Sequence, residues 1–299
     1  MKTRAPGKVV LSGAYAVLEG APAIVSAVDR FVVADSSANA KLETPEYRAA
    51  HTGRMQPDYD ASALRQADRK LGLGSSAAIL VACLGVERLV KSPELAEAAL
   101  RNEIYPTALE AHRAAQGGGS GIDVAASTFG GHLLAQRTRG GELTLHPQSW
   151  PDSLVVEVWA AEHAARTSDL LRAVFELERQ DGARYASLIG AQAEASARAA
   201  DAFARGSACD FVDALAEQHT ALERLGRASN VEIVIDAARQ LNVLARREGG
   251  CFLPAGAGGG DISIFAGLRA SGPEFRALAG RLAQNPLDLA LGSPGLHRV

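Results

Sequence analysis

The chain has 299 residues, with 31 basic and 34 acidic side chains and a formal net charge of −3. Hydrophobic residues make up 47% and charged residues 22%, the balance of a soluble globular chain rather than a disordered one. Near-neutral charge argues against a general nucleic-acid binder, and the longest apolar runs, such as Ile79 to Gly85 and Leu154 to Ala161, are too short to span a bilayer.

Inside these totals the basic residues are unequal: 26 arginines stand against five lysines, Lys2, Lys8, Lys41, Lys70 and Lys91. Against that drift, any lysine kept inside a special motif is worth examining. Met1 to Arg4 leads into a Pro-Gly turn with no apolar leader, which gives the expectation of a cytoplasmic protein. Cys83, Cys209 and Cys251 are odd in number and widely spaced, matching neither a disulfide framework nor a zinc pattern. The seven histidines are scattered without an HExxH, and no GxSxG elbow occurs.

In chain order, Val9 to Ser12 and Ala23 to Val33 read as strands. Ser75 opens a nearly all-apolar buried helix, and Ser92-Pro93-Glu94 predicts the start of a second one running to about Gln116. Gly117 to Gly121 breaks that helix, a short one follows from Asp123 to Gly130, and His132 to Gln136 with Glu142 to His146 forms a hairpin. Trp150-Pro151-Asp152 marks a domain joint, giving expected domains 1–150 and 151–299. The second half begins with a strand at Leu154 to Ala160. Ala-rich amphipathic helices follow over Ser168–Gln180, Ala183–Arg205, Cys209–Leu225 and Glu232–Glu248. Strands from Gly249-Gly250-Cys251 and over Asp261–Gly267, a helix over Pro273–Ala283 and a last strand over Leu287–Leu291 complete the chain. Strands and helices mix without regular alternation, so the expected class is α+β.

The most informative segment is Lys70-Leu71-Gly72-Leu73-Gly74-Ser75-Ser76-Ala77-Ala78. Alternate glycines let backbone approach a ligand closely, and a helix N-terminus offers free N–H groups and partial positive charge to a phosphate chain. Lys70 adds a cation beside it, and a hydroxyl of Ser75 or Ser76 can ligate Mg2+. The GK[ST] ending of a Walker A loop is missing. The looser dinucleotide fingerprint GxGxxA is satisfied, but a polar, basic stretch precedes it and no acidic residue stands where a ribose contact needs one. The bland alternative is a glycine turn before a helix. A second loop, Gly117-Gly118-Gly119-Ser120-Gly121-Ile122-Asp123, enters another helix. Asp123 reads there either as a helix cap or as a ligand-facing acid, and four glycines exceed what a bare cap needs. The third, Ala255-Gly256-Ala257-Gly258-Gly259-Gly260-Asp261, reads as a loose hairpin or as a nest of N–H groups around an anion. Three such loops, with Ala5-Pro6-Gly7-Lys8 at the start, point to a phosphate-rich ligand.

These segments resemble, in order, the three motifs of the GHMP kinases. Ala5 to Lys8 followed by Leu11 to Leu18 looks like the first, Lys70 to Ala78 like the second, and Pro254 to Asp261 like the third. Within the group the resemblance is strongest to the phosphomevalonate kinase branch, through Ala27-Val28-Asp29-Arg30-Phe31, Ala111 to Gly117 leading into Ser120-Gly121-Ile122-Asp123-Val124, and Ala165-Arg166-Thr167-Ser168. The resemblance implies a two-domain α+β fold, the first domain like ribosomal protein S5 domain 2 and the second ferredoxin-like. It also implies ATP with Mg2+ and transfer of the γ-phosphoryl group to phosphomevalonate or a related small acid. Neither nucleic acid nor membrane is an implied partner, and the chain would be a monomer or homodimer.

Carried over residue by residue, the resemblance makes Gly72, Leu73, Gly74, Ser75, Ser76 and Ala77 hold the ATP phosphates together with Gly256 and Gly258, and makes Ser76 the Mg2+ ligand. Lys8 and Asp123 would face the transferring group as catalytic residues. Lys8, Lys70, Arg30, Ser120, Gly121 and Ala257 would contact the acceptor, with Arg166 a further candidate cation. His112 stands where mevalonate kinases carry a metal-binding acid, which disfavours mevalonate itself. The departures are Ala14 where this branch carries an acid, Leu253 and Ala255 where it often carries lysine and serine, and a short span over Val32 to Arg69. The alternatives are a GHMP kinase acting on a hydroxyl acceptor and a non-catalytic nucleotide-binding relative. Phosphoryl transfer needs positioning and charge neutralisation more than covalent help.

Overall fold

The computed structural model describes residues 1–66, 69–138, 141–162 and 167–299. Its first half is built on a mixed-length antiparallel sheet. Strand β1 (Lys2–Ser12) pairs with β2 (Ala23–Asn39), whose far end also takes β3 (Pro57–Asp60) after the short helix α1 (Pro45–Ala49). The hairpin β4 (Arg65–Gln66) and β5 (Arg69–Lys70) leads into helix α2 (Ser75–Lys91). Helices α3 (Glu97–Gln116) and α4 (Ile122–Phe129) follow, then the hairpin β6 (His132–Arg137) and β7 (Leu143–Gln148), with β6 beside β2.

One irregularity in β1 positions the site. The β1–β2 register shifts between Pro6 and Lys8. At Gly7 a Cβ would lie 2.7 Å from Leu64 Cδ2 and 2.8 Å from the Leu73 carbonyl oxygen, so only glycine lets the strand come this close to the loop before α2. Lys8 N–H then donates to that same Leu73 oxygen at 2.8 Å. Beyond the bulge, Val9 and Leu11 enter one apolar cluster and Val10 another, as the two-residue period of a strand requires.

The second half carries its own antiparallel sheet, in the order β11-β8-β10-β9: β8 (Val155–Ala161), β9 (Cys251–Pro254), β10 (Ile262–Gly267) and β11 (Gln284–Leu287). Helices α5 (Thr167–Gln180), α6 (Gly182–Ala204), α7 (Ala208–Ala228) and α8 (Asp236–Arg247) intervene between β8 and β9, and α9 (Pro273–Arg281) precedes β11. Phe275 of α9 seals this sheet edge-on against Trp159, Phe252 and Phe265, with ring centroids 5.2–5.4 Å apart. Trp150, between the halves, stacks 4.7 Å from His132 and 5.8 Å from Phe203 of α6.

Two expectations are corrected. Ser92 does not cap a second helix: it closes α2, its hydroxyl accepting from Arg88, and α3 starts at Glu97 after a turn in which Leu95 N–H bonds the Ser92 carbonyl. The last strand of the second sheet ends at Leu287 rather than running to Leu291, because the Asp29 carboxylate takes the Ala290 N–H and a bridge joins Val28 to Leu291. The chain then returns to the first sheet, where Leu296 packs on Gly85 of α2 and β12 (His297–Arg298) pairs with β1. Among the described residues no helix is long and apolar enough to cross a membrane.

Candidate active site

The first glycine loop closes around Lys8. The Lys8 ammonium donates to the Gly72 carbonyl at 3.2 Å, and its aliphatic stem runs 3.0–3.6 Å from where a Cβ on Gly74 would stand. Gly74 adopts a left-handed conformation (φ 75°) as the N-cap of α2, and no side chain caps the helix's first N–H groups. An apolar, uncapped helix start has donors to offer and no internal acceptor for them.

Helix α4 begins the same way, from left-handed Gly121 (φ 81°). Its second residue, Asp123, donates nothing and accepts from Val124 N–H at 3.0 Å through Oδ1. Its other oxygen lies 3.4 Å from His112 Nε2, and the same nitrogen lies 3.2 Å from the Ser76 hydroxyl. One buried imidazole on α3 therefore ties the N-termini of α2 and α4 together. Both partners share Nε2, so this is not the relay of a serine hydrolase, in which acid and hydroxyl occupy opposite ring nitrogens.

The third loop supplies the facing wall. Gly256, Gly258, Gly259 and Gly260 all have positive φ. Gly258 presses so close to the Ile233 carbonyl that a Cβ would lie 2.2 Å from its oxygen, and Gly259 N–H donates to that oxygen at 3.0 Å. The loop ends at Asp261, whose carboxylate sits where a Cβ on Gly72 would be, 2.2 Å away. Burial pushes the Asp261 carboxyl up from its ordinary value, while Lys8 and Arg69 oppose the shift. Burial likewise pulls the Lys8 ammonium down, opposed by Asp123 and Asp261. The first and third loops thus meet over a half-buried lysine whose charge is felt by two carboxylates.

Comparison with known proteins bears on this arrangement. Residues 47–131, which include the first glycine loop, α2 and Asp123, match the family described as GHMP kinases N terminal domain. The chain carries a GHMP kinase N-terminal domain. It is 25% identical to a phosphomevalonate kinase of Streptomyces sp. (strain CL190), with 87% of this chain and 88% of that protein aligned. It is 27% identical to a mevalonate kinase of Aeropyrum pernix, over 80% of this chain and 75% of that one. Its fold is that of the GHMP kinases: the structure of Streptococcus pneumoniae phosphomevalonate kinase in complex with phosphomevalonate and AMPPNP superposes with a TM-score of 0.75 at 17% identity, covering 97% of this chain and 99% of the other.

Within this GHMP kinase fold, the residues singled out from sequence fall into two groups. Lys8, Gly72, Leu73, Gly74, Ser75, Ser76, Ala77 and Asp123 converge on the α2 and α4 starts, and Gly256, Ala257 and Gly258 stand in the wall linked to them through Asp261. Ser120 and Gly121 immediately precede α4, where Ser120 Oγ accepts the Ile122 N–H at 3.5 Å. Lys70 is exposed on the β4–β5 hairpin. Arg30 is drawn to the C-terminal segment, donating to the Asp288 carbonyl at 3.4 Å. Arg166 lies outside the described residues. Of the departures, Leu253 is buried in β9, and the N–H of Ala255, the first residue after that strand, bonds the Ile262 carbonyl across the third loop.

Several contacts of the site carry no readable signal in the sequence. Tyr15 is a buried non-glycine residue at φ 62°, and its hydroxyl donates to the Ala257 carbonyl at 2.6 Å, joining the first motif to the third loop. Gln218 of α7 accepts from Gly13 N–H at 3.0 Å and donates to Ser12 Oγ at 2.8 Å, while Gln192 of α6 donates to the Ala14 carbonyl at 3.2 Å. Helices of the second half therefore hold the turn after β1. Arg69 donates to the Ala161 carbonyl and stands near Asp261.

Proposed function

We propose that the chain is an ATP-dependent kinase that transfers the γ-phosphoryl group to phosphomevalonate, giving diphosphomevalonate in isoprenoid precursor synthesis. The observation that carries the reading is Lys8: a half-buried lysine whose ammonium stands at the junction of an uncapped helix start and a glycine-nest wall, with two carboxylates near enough to act on its charge. Such an ammonium is held below its ordinary basicity until an anion arrives to compensate its burial. A nucleotide phosphate chain, bound by the N–H groups of Gly74 to Ala77 and by the third loop, is such an anion. Lys8 then neutralises charge on the oxygens of the moving phosphoryl group, which is most of what this chemistry asks of a protein.

Mg2+ takes a few protein oxygens beside phosphate oxygens, and the residues present fit that demand: the Ser76 hydroxyl and the Asp123 carboxylate are oxygen donors brought to one point by His112. Among the described residues no group of three or more His, Cys, Asp or Glu side chains is placed to hold a metal unaided, so phosphate oxygens would complete the shell. When bound, the ion would supply positive charge that offsets the charge of the phosphate oxygens. In the transfer itself an oxygen of the acceptor bonds to the γ phosphorus as the bond to the β-bridging oxygen breaks and ADP leaves. A phosphate monoester has its second pKa near ~6 and offers that oxygen already ionised at neutral pH, so Asp123 orients rather than deprotonates.

The likeness to mevalonate kinases supports a second reading, a hydroxyl acceptor whose proton passes to Asp123. Coupled ADP release with phosphomevalonate, mevalonate and a few sugars separates the two. Turnover with phosphomevalonate well above the others is the expected result. ATP binding with no ADP formed from any acceptor defeats both.

A further inference from the structure

Beyond Asp123, where α3, α4 and the end of β6 meet, lies a group of polar atoms that the phosphate side leaves unused. Among the described residues, the Tyr105 hydroxyl, Arg113 Nε and Arg137 Nε are each buried without a hydrogen-bond partner. The outer nitrogens of the two arginines reach carbonyls: Arg113 Nη2 donates to Ser120 at 3.3 Å and Arg137 Nη1 to Leu18 at 3.4 Å. Among the described residues neither guanidinium is paired with a carboxylate. The two lie close enough that Arg137, together with burial, holds Arg113 below its ordinary value, and Tyr105 feels the charges of both Arg113 and Asp123.

Two unneutralised cations with buried, open N–H groups form a costly arrangement unless an anion completes it. The surroundings are suited to one. Val17, Leu18, Ile122 and Tyr105 share an apolar cluster that excludes water from one side. On the other side Gly118 and Gly119 have nothing within 4 Å of where a side chain would begin. A pair of planar guanidinium forks with a phenol hydroxyl matches the several oxygens of a phosphate better than the single charge of a lysine does.

We propose that Arg113, Arg137 and Tyr105 form a second anion site, distinct from the nucleotide loops, that takes the phosphate monoester of the acceptor. The identity of the acceptor rests on the kinase reading above; the anion site itself does not. Through its bond to the Ser120 carbonyl, Arg113 also couples occupancy of this site to the loop that carries Asp123. It is these two arginines, not exposed Lys70 or outward-held Arg30, that select a phosphorylated acceptor over its unphosphorylated counterpart.

The test uses the full chain with its nucleotide loops filled by an ATP analogue, and Arg113→Met, Arg137→Met and Arg113→Lys variants. Inorganic phosphate is the probe, read as a rise in Tm. The wild type is expected to gain stability with phosphate, each Met variant to lose that gain while keeping the shift caused by the nucleotide, and Arg113→Lys to recover part of it. In ADP release, each Met variant is expected to raise KM for phosphomevalonate about 10- to 100-fold, the scale of one lost charge-assisted bond, and to leave KM for ATP unchanged. A phosphate response equal in wild type and Met variants overturns the site. A response lost in the variants, with no turnover of phosphomevalonate by the wild type, keeps the site and defeats the kinase reading instead.

Discussion

The region around Lys8 and the region around Arg113 are built to different tolerances. On the phosphate side, Gly7, Gly72 and Gly258 each stand against atoms that leave no room for a Cβ, with closest approaches of 2.7, 2.2 and 2.2 Å. Lys8 is fixed there through both its N–H and its ammonium. Around the proposed anion site, Gly117, Gly118 and Gly119 have nothing within 4 Å, a Cβ on Gly121 would meet only the tip of the Leu109 side chain closely, and among the described residues three buried donors lack partners. The difference teaches where organisation is complete before ligands bind. The region around Lys8 resembles an interior, pre-set for charge that develops in the proposed transfer, whereas the region around Arg113 and Arg137 keeps open space and unspent hydrogen-bonding capacity.

The most severe way to break the tight side is Lys8→Met. The side chains are similar in length, so the fold is expected to survive, and turnover is expected to fall by about 10^2- to 10^3-fold or more, the scale of losing one fixed electrostatic contact to the reacting group. ADP release measured beside a circular dichroism spectrum checks it; wild-type turnover in this variant overturns the assignment of Lys8.

Glycine substitutions compare the sides directly. Gly72→Ala meets both a left-handed backbone (φ 71°) and the Asp261 carboxylate, while Gly117→Ala meets only the backbone term at φ 70°. The shared conformational cost is about 1 kcal/mol. Gly117→Ala should therefore lose roughly that in urea unfolding and keep its KM for ATP. Gly72→Ala should lose clearly more, and raise KM for ATP, because the Asp261 carboxylate must leave the place the new Cβ takes. Equal losses in the two variants erase the contrast between the sides.

Tyr15→Phe removes a single hydrogen bond from the third loop at a position already held at φ 62°. The expected loss is about 1 kcal/mol, with a several-fold rise in KM for ATP and for the acceptor alike, because Ala257, expected from the sequence at the acceptor, stands between Gly256 and Gly258, expected at the phosphates; KM values that both stay at wild type would separate this bond from the site.

How much of this was legible in the sequence follows from how local each feature is. Glycine and serine composition marks the starts of α2 and α4, and scarcity of lysine makes Lys8 stand out, because each signal lies within a few residues. Lys70 shares the same signal and yet lies exposed on its hairpin. The Ser92-Pro93-Glu94 start of α3 misleads because a serine can close one helix as well as open the next. Return of the chain end to β1 depends on Asp29 capturing Ala290, a contact across 261 positions. His112 joining Ser76 to Asp123, and Arg113 meeting Arg137, exist only once α3 is laid beside α4 and β6. Sequence spacing carries no trace of such meetings.

Acid gives the gentlest probe of the tight side. His219 of α7 is buried, with Nδ1 2.8 Å from the carbonyl of Phe252 in β9, the strand that feeds the third loop, and burial holds its imidazole below the ordinary value. His132, 2.9 Å from Ser26 Oγ, is lowered by burial as well. Groups whose folded-state basicity is depressed bind fewer protons folded than unfolded. Their contribution is therefore whole above the unfolded value of about 6.5 and is lost as pH falls below it, through the folded values. Urea midpoints should accordingly drop between pH 7.5 and 5.5, and His219→Asn should flatten part of that slope. If the tight side owes its set to β9, acid should raise KM for ATP before it raises KM for the acceptor; the reverse order would place the acid-sensitive support on the open side.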